Sequence, residues 1–185
     1  MMVFTHIVVG ACLALPVLAL APSLAVPAAL AGMAGGLAPD VDLFVGHHRR
    51  TLHFPVVGWA LALPACAAAL LAPTPWTAGA ATFALAFAVH AGSDALGAGN
   101  EVRPWERSSA EAVYDHLHGT WWRPRYLVRY DGAPEDLFVT AVGALPGVLL
   151  VGGVVRTLCL VCVALGTVYV LVRRNLPPSV EEFIG

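Results

Sequence analysis

The chain has 185 residues, of which 58% are apolar and only 12% are charged, and its mean hydropathy is +0.76. Soluble domains usually contain about 25% charged residues, so this composition excludes an ordinary water-soluble domain. The net charge of −2 is too close to neutral to indicate a nucleic-acid partner. The length is that of one domain, and residues 1–185 are predicted to form a single integral membrane domain.

Four long segments contain no Asp, Glu, Lys or Arg, and they predict an all-α polytopic membrane helix bundle. These segments are residues 7–39, 54–93, 137–155 and 157–172. Crossing a hydrocarbon core of about 30 Å requires about 20 apolar residues in a helix. The first segment is too long for one untilted helix, and Pro22-Ser23 divides it. We therefore predict about six transmembrane helices, over residues 4–21, 23–38, 54–72, 76–96, 136–154 and 157–172.

Two polar stretches interrupt these helices. Residues 39–53 connect the second helix to the third, and residues 99–135 form the only long polar segment. Residues 108–111 (Ser-Ser-Ala-Glu) fit a capping box and Gly119 fits a helix stop, so a short helix is predicted between them. Tryptophans, tyrosines and arginines alternate in this segment, which is typical of chain lying against lipid headgroups. Residues 99–135 are thus predicted to be an interfacial cytoplasmic insertion.

The arginines predict the orientation in the membrane. Six helices place the N-terminus, both polar stretches and the C-terminal end on one side. That side contains nine of the ten arginines, and only Arg156 lies opposite. The positive-inside rule makes the arginine-rich side cytoplasmic. A count of five helices would instead move the N-terminus across the membrane and separate His6 from the other polar groups.

Histidines and aspartates gather at the same ends of the predicted helices. The candidate metal ligands are His6, Asp40, His48, His53, His90 and Asp94, with Asp42 beside them. His90 and Asp94 are four residues apart in one helix and share a face of it. Ionisable groups at the edge of a membrane are costly unless they are paired or bind metal. Imidazole and carboxylate ligands suit a divalent metal, with zinc as the first choice and manganese or iron as alternatives.

This constellation favours a metal-dependent hydrolase that cleaves a phosphoester, including one in a lipid. A catalytic metal keeps an open position for water. Arg49 and Arg50 are predicted to bind the phosphate, and Asp40, Asp42 or Asp94 to assist proton transfer. Three alternatives remain open: a non-enzymatic membrane scaffold, a metal-binding transport protein, and a purely structural metal that joins helix ends. A transporter should place polar groups near the bilayer midplane.

Four short motifs within roughly residues 1–100 resemble those of a known family. They are Thr5-His6, Pro39-Asp40-Val41-Asp42, the block His48-Arg-Arg-Thr-Leu-His53, and His90-x-x-x-Asp94. In this order they resemble the YdjM-like (LexA-binding, inner membrane-associated) family of metal-dependent hydrolases. That family is thought to be distantly similar to the zinc-dependent phospholipase C and nuclease superfamily, whose His-x-x-x-Asp pairs bind zinc. The resemblance implies that the first-choice ligands are His6, Asp40, His53, His90 and Asp94, followed by Asp42 and His48.

Overall fold

The computed structural model describes residues 1–176, and most of them are helical. The helices are α1 (Val3–Cys12), α2 (Leu15–Leu20), α3 (Ala25–Leu37), α4 (Gly58–Leu71), α5 (Pro75–Ser93), α6 (Pro134–Pro146) and α7 (Gly153–Val172). Two short strands, β1 (Val113–Asp115) and β2 (Thr120–Trp122), form a hairpin. Short 3-10 turns follow α3, over Ala38–Leu43, and α5, over Asp94–Leu96. The predicted all-α class is confirmed for the helical bulk of the chain.

Four segments of the described chain are long and apolar enough to cross a membrane. They are Val3–Leu20, Pro22–Leu43, Pro134–Val151 and Gly153–Asn175. Helix α4 has only 14 residues, and at 1.5 Å per residue it measures about 21 Å, which is short of a core of about 30 Å. Helix α5 has 19 residues, but polar side chains such as that of His90 lower its hydropathy. The structure therefore supports membrane helices, and the predicted count of six is not confirmed.

Prolines set the helix boundaries where the structure differs from the predicted ones. The first predicted helix divides into α1 and α2 just before Pro16, which lacks a backbone N–H and lies in the first turn of α2, where no such donor is needed. The predicted helix over residues 54–72 begins at Gly58. Pro55 disfavours the helical conformation at Phe54, the residue before it, and so favours a later start of the helix.

The helices that bear the candidate site pack through glycines. Helix α3 lies between α1 and α5 and contacts both. A Cβ atom added to Gly36 would lie 2.2 Å from the carbonyl oxygen of His6 in α1. A Cβ atom on Gly35 would lie 2.2 Å from the carbonyl oxygen of Phe83 in α5. The backbones of these helices therefore touch directly, as they do at small-residue interfaces between membrane helices.

The short helix predicted within residues 108–119 is wrong, because this stretch contributes to the hairpin. β1 and β2 pair in antiparallel register. Asp115 closes the turn, since its Oδ1 accepts a hydrogen bond from the backbone N–H of Leu117 at 2.9 Å. Gly119 donates its N–H to the carbonyl oxygen of Asp115 at 2.9 Å and has a φ of +66°. A left-handed glycine ends a helix or closes a hairpin loop equally well, so the sequence signal was ambiguous.

The 99–135 segment folds back over one end of the helix bundle. The connector, residues 39–53, lies at the same end. The N–H of Tyr114 in β1 donates to the carbonyl oxygen of Arg49 at 3.0 Å. Farther along, Asp131 accepts a hydrogen bond from Nε of Arg173, at the end of α7, at 2.8 Å. The segment is thus tied to both the connector and the last helix, and it covers the region where the polar residues gather.

Candidate metal centre

Five of the residues predicted as metal ligands meet at one end of the bundle. They are His6, Asp40, His53, His90 and Asp94. Helix α1 supplies His6, and the turn after α3 supplies Asp40. The connector supplies His53, and the end of α5 supplies His90 and Asp94. Gly36 allows this meeting, because its missing side chain lets α3 approach the backbone of His6. All five are buried, and Asp40 is the most exposed of them at 8%.

Four of these residues present ligand atoms at distances that suit a tetrahedral site. Nε2 of His90 lies 3.2 Å from Oδ1 of Asp40 and 3.6 Å from Oδ2 of Asp94. Nε2 of His53 lies 3.7 Å and 3.2 Å from the same two oxygens. Around a zinc ion with bonds of about 2.0–2.1 Å, tetrahedral ligand atoms are about 3.3–3.4 Å apart. Small shifts would therefore let the four atoms bind one ion.

The Nε2 atoms of His53 and His90 are buried and have no hydrogen-bond partner within residues 1–176. The other nitrogen of each ring makes a hydrogen bond. Nδ1 of His90 lies 2.6 Å from the carbonyl oxygen of Gly36, and Nδ1 of His53 lies 2.9 Å from Oδ2 of Asp42. A carbonyl can only accept, so Nδ1 of His90 carries a proton, and in the neutral form of the ring Nε2 keeps its lone pair for a metal ion. Buried polar atoms normally have partners, and a metal ion would supply one here.

With its histidines neutral, the cluster contains more negative than positive charge. Its carboxylates are those of Asp40, Asp42 and Asp94, all buried. The nearby cations are Arg49, whose Nε lies 4.0 Å from Oδ2 of Asp94, and the amino group of Met1, which lies 3.1 Å from Oδ1 of Asp94. Buried charges are costly unless they are paired or bind metal. A divalent cation would offset the remaining negative charge.

Asp42 orients two histidines of the cluster. Its Oδ1 lies 2.9 Å from Nδ1 of His48, and its Oδ2 lies 2.9 Å from Nδ1 of His53. The backbone N–H of Leu52 also donates to Oδ2 at 3.2 Å. A carboxylate that holds a metal-binding histidine in this way fixes the orientation of the ring and raises its basicity. The proton-transfer role predicted for Asp42 stays a prediction, and both of its oxygens are engaged in these contacts.

His48 and His53 share Asp42 but differ in pKa. Burial lowers the pKa of His48, and the hydrogen bond to Asp42 only partly offsets that effect. Burial also opposes the charged form of His53, but Asp42 and the nearby Asp94 outweigh it and raise the pKa of His53. His48 is therefore neutral near pH 7 and can accept a proton, whereas the carboxylates around His53 favour a cation at that ring, either a proton or a metal ion.

His6 contacts the second oxygen of Asp94. Its Nε2 lies 3.1 Å from Oδ1 of Asp94, and its ring stacks on that of His90 with the ring centroids 3.6 Å apart. In each of two groups, three ligand atoms lie within 4.8 Å of one another. One group is His6, His90 and Asp94, and the other is Asp40, His48 and His53. A centre with one ion and a centre with two are both compatible with these positions.

The two arginines predicted to bind phosphate point in different directions. Arg49 is buried, has a φ of +59°, and donates from Nη1 to the carbonyl oxygen of Ala98 at 2.8 Å. Arg50 is exposed, and its guanidinium lies over the ring of Tyr114, 4.6 Å from the ring centroid. The structure therefore places Arg49, but not Arg50, beside the candidate centre.

A cavity of about 190 Å³ adjoins the centre. Asp40, His48 and Arg49 line it on the side of the metal ligands. Its lining also includes five polar residues that no sequence motif marks: Asn100, Glu101, Asp131, Tyr169 and Arg173. These residues belong to the 99–135 segment and to the end of α7. No spacing in the sequence relates them to the ligands, because only the folding back of the segment brings them there.

Comparison of the chain with models of protein families, with curated proteins and with solved structures finds no match. The resemblance to the YdjM-like family therefore stays a prediction from the four motifs. What the centre can do chemically follows from its own atoms: two imidazoles, two carboxylates, a buried guanidinium and an adjacent cavity.

Proposed function

We propose that this protein is a membrane-bound, metal-dependent hydrolase that cleaves a phosphoester. One observation carries the proposal: two buried histidine nitrogens face two carboxylates, without a hydrogen-bond partner within residues 1–176, beside a polar cavity. Two imidazoles and two carboxylates suit zinc, with manganese or iron as alternatives. Membrane lipids surround such a protein, and a phospholipid is one class of substrate for it.

The residues beside the cavity have distinct roles in this proposal. A divalent metal ion would lower the pKa of a bound water and polarise a phosphoryl oxygen. Arg49 would bind the phosphate, because its guanidinium is held beside the centre by the carbonyl oxygen of Ala98. His48, whose pKa is lowered by burial, would accept the proton of the attacking water. Asp40 belongs to the centre and also lines the cavity, so it would orient the part of the substrate that lies nearest the metal ion.

The proposal also includes six membrane crossings with the centre at the cytoplasmic face. Four crossings correspond to the long apolar segments, and α4 and α5 would form a shorter pair between them. This topology places nine of the ten arginines on the side of the centre. The positive-inside rule makes that side cytoplasmic, so the substrate would come from the cytosol or from the inner leaflet.

The first test is the metal content of the full-length protein purified in detergent. We expect one or two equivalents of zinc, manganese or iron in the wild type. The double variant His90→Ala with Asp94→Ala should retain less than about a tenth of that metal, because it lacks two ligands of the cluster. His47→Ala is the matched control, since His47 is exposed and lies outside the cluster. Full metal retention in the double variant would refute the assignment of the centre.

The second test is hydrolysis of soluble phosphoesters and of phospholipid vesicles, with and without a chelator. Chelation should abolish the activity, and addition of the metal should restore it. Arg49→Ala should lower kcat/KM by about 10- to 100-fold, because a charged hydrogen bond to the phosphate is lost. Arg50→Ala is the control, since the guanidinium of Arg50 lies over Tyr114. Equal losses in the two variants would contradict the role given to Arg49.

A non-enzymatic membrane protein with a structural metal is the second candidate, and the burial of the ligands favours it. His53, His90 and Asp94 are each at most 2% exposed, and structural zinc sites are closed by four protein ligands. Cobalt-substituted protein separates the two functions. Added phosphate should change the visible spectrum if a coordination position is open, and should leave it unchanged in a closed site.

A further inference from the structure

The cavity extends from the metal ligands along the chain that follows α5. Met2, Val3 and Phe4 at the start of α1 supply apolar lining, and Asn100 and Glu101 supply polar lining. Its volume of about 190 Å³ is smaller than the roughly 300–1,000 Å³ of pockets that enclose drug-sized ligands. The cavity therefore suits a small polar group and not a whole lipid molecule.

Two buried acceptor atoms in this lining, Oε1 of Glu101 and Oδ1 of Asn100, have no hydrogen-bond partner among the described residues. The other carboxylate oxygen of Glu101, Oε2, accepts a hydrogen bond from the N–H of Ser109 at 3.1 Å. The side chain of Glu101 lies against Gly99, where an added Cβ would be 2.4 Å from Oε2. Glu101 is thus held in position by one oxygen, while the other has no hydrogen-bond partner among the described residues.

Arg49 links these acceptors to the centre. Its Nη1 donates to the carbonyl oxygens of Ala98 and Gly99, at 2.8 and 3.3 Å, directly before Asn100 and Glu101 in the chain. Its Nε lies 4.0 Å from Oδ2 of Asp94. Asn100 and Glu101 line the same cavity as Asp40, His48 and Arg49, so this cavity is the space into which the ester group of a phosphate bound beside Arg49 could extend.

We propose that the cavity binds the alcohol part of the phosphoester, and that this part bears a hydroxyl group that donates a hydrogen bond. Glu101, assisted by Asn100, would accept the hydrogen bond. This inference rests on the hydrolase function proposed above. A buried carboxylate oxygen without a donor is costly, and a donor on the substrate removes that cost. The burial that makes the charge costly also raises the pKa of Glu101. A site built in this way rejects an analogue that lacks the donor.

The chemistry is shared by the headgroup of a membrane lipid and by a soluble ester, so the test uses both. The soluble pair is glycerol 3-phosphate and propyl phosphate, and the lipid pair is phosphatidylglycerol and phosphatidylpropanol in vesicles. The members of each pair differ in the hydroxyl groups of the alcohol part. We expect the metal-loaded, full-length protein to prefer the hydroxylated member of at least one pair by about 10- to 100-fold in kcat/KM. The pair that shows the preference identifies whether the substrate is a soluble ester or a membrane lipid.

Glu101→Gln is the decisive variant. Its amide oxygen can still accept from Ser109, while its NH₂ group replaces the acceptor Oε1 with a donor. We expect the preference to fall to about twofold or less in Glu101→Gln and in Glu101→Ala, with hydrolysis of the propyl esters retained. Glu106→Gln is the matched control, because Glu106 is exposed and pairs with Arg103 at 3.8 Å. This control should keep the full preference.

Binding is measured in parallel, as the rise in the unfolding midpoint with increasing ester concentration, because it requires no turnover. Equal hydrolysis and equal binding of the two members of both pairs by the wild type would overturn the inference and leave the hydrolase proposal intact. A preference that persists in Glu101→Gln would also overturn it. Absence of metal-dependent hydrolysis would count against the hydrolase. In that case a binding preference that Glu101→Gln removes would still support the role of Glu101.

Discussion

Helices α1, α3 and α5 are held together differently from α6 and α7. In the first group, backbone lies against backbone: a Cβ on Gly10 would be 2.1 Å from the carbonyl oxygen of Gly32. In the second group the contacts are with side chains: a Cβ on Gly147, after α6, would lie 2.5 Å from Sγ of Cys159 in α7, and a Cβ on Gly166 would lie 3.6 Å from the end of the Met2 side chain. A flexible side chain can move aside, whereas a backbone contact can be relieved only by moving a whole helix.

This difference shows where the protein requires precision. Ligand atoms of a metal centre must be held to within about 0.5 Å, and four of the five converging ligands are on α1 and α5 or in the turn after α3. In the membrane-length segment that includes α3, 50% of the residues are buried, against 22% in each segment of α6 and α7. The outer pair of helices faces the surroundings to a greater extent.

The largest expected effect is that of Gly36→Ala. Its new Cβ would lie 2.2 Å from the carbonyl oxygen of His6, so α1 and α3 would have to separate, at a cost of about 3 kcal/mol or more. Metal binding should be lost as well, because the carbonyl oxygen of Gly36 orients His90. Metal analysis and thermal unfolding of the purified protein measure the two effects. Full metal content with an unchanged Tm would show that this contact does not support the centre.

Asp136 is the polar link between the two groups of helices. Its carboxylate accepts hydrogen bonds from Oγ1 of Thr5 at 2.6 Å and from the N–H of Met2 at 2.7 Å. Asp136→Ala should lower the free energy of unfolding by about 2–3 kcal/mol, because buried donors lose their partner. Asp136→Asn keeps one acceptor oxygen and should cost about half as much. If unfolding in detergent gives the same stability for Asp136→Ala and the wild type, packing alone joins the two groups.

The hairpin is stabilised by a charged group, and its stability should therefore depend on pH in a way that packing does not. Burial opposes the charged form of Asp115, but hydrogen bonds from His118, Leu117 and Trp122 outweigh it and lower the pKa of Asp115. Because the folded-state pKa is below the unfolded one, this stabilisation is present at neutral pH and is lost as the pH falls through the folded-state pKa.

The NMR signal of the Trp122 indole N–H measures that loss, since this group donates to Asp115 at 3.1 Å. In the wild type the signal should shift as the solution is acidified. In Asp115→Asn the shift should be absent, because no carboxylate remains to titrate. The same acid transition in both proteins would assign the pH dependence to another group.

Gly166→Ala should have the smallest effect. The new methyl group would lie at an ordinary contact distance from Met2, and alanine is favoured over glycine in a helix by about 1 kcal/mol. We expect unchanged metal content and a Tm equal to or slightly above that of the wild type. A large fall in Tm would remove the contrast between the two groups of helices, so this variant is also the packing control for Gly36→Ala.

The helices could be predicted from the apolar segments because a backbone in lipid must satisfy its own hydrogen bonds. Helix α3 ends within one residue of the predicted range 23–38, and α7 ends where the predicted range 157–172 ends. Helix α5 begins within one residue of the predicted range 76–96. The opposite ends of these three helices differ from the prediction by a few residues. The hairpin was mispredicted, because capping and glycine signals act over four or five residues and are shared by helices and turns.

The sequence by itself determined which residues could form a centre, since the spacing of His90 and Asp94 puts them on one helix face and the other ligands follow helix ends. Only the tertiary structure decided how each is used. It turned Asp42 toward two histidines, set Arg49 rather than Arg50 beside the centre, and brought Glu101 to the cavity. These outcomes depend on close backbone contacts between distant segments and on the left-handed conformation of Arg49, and no local spacing encodes either of them.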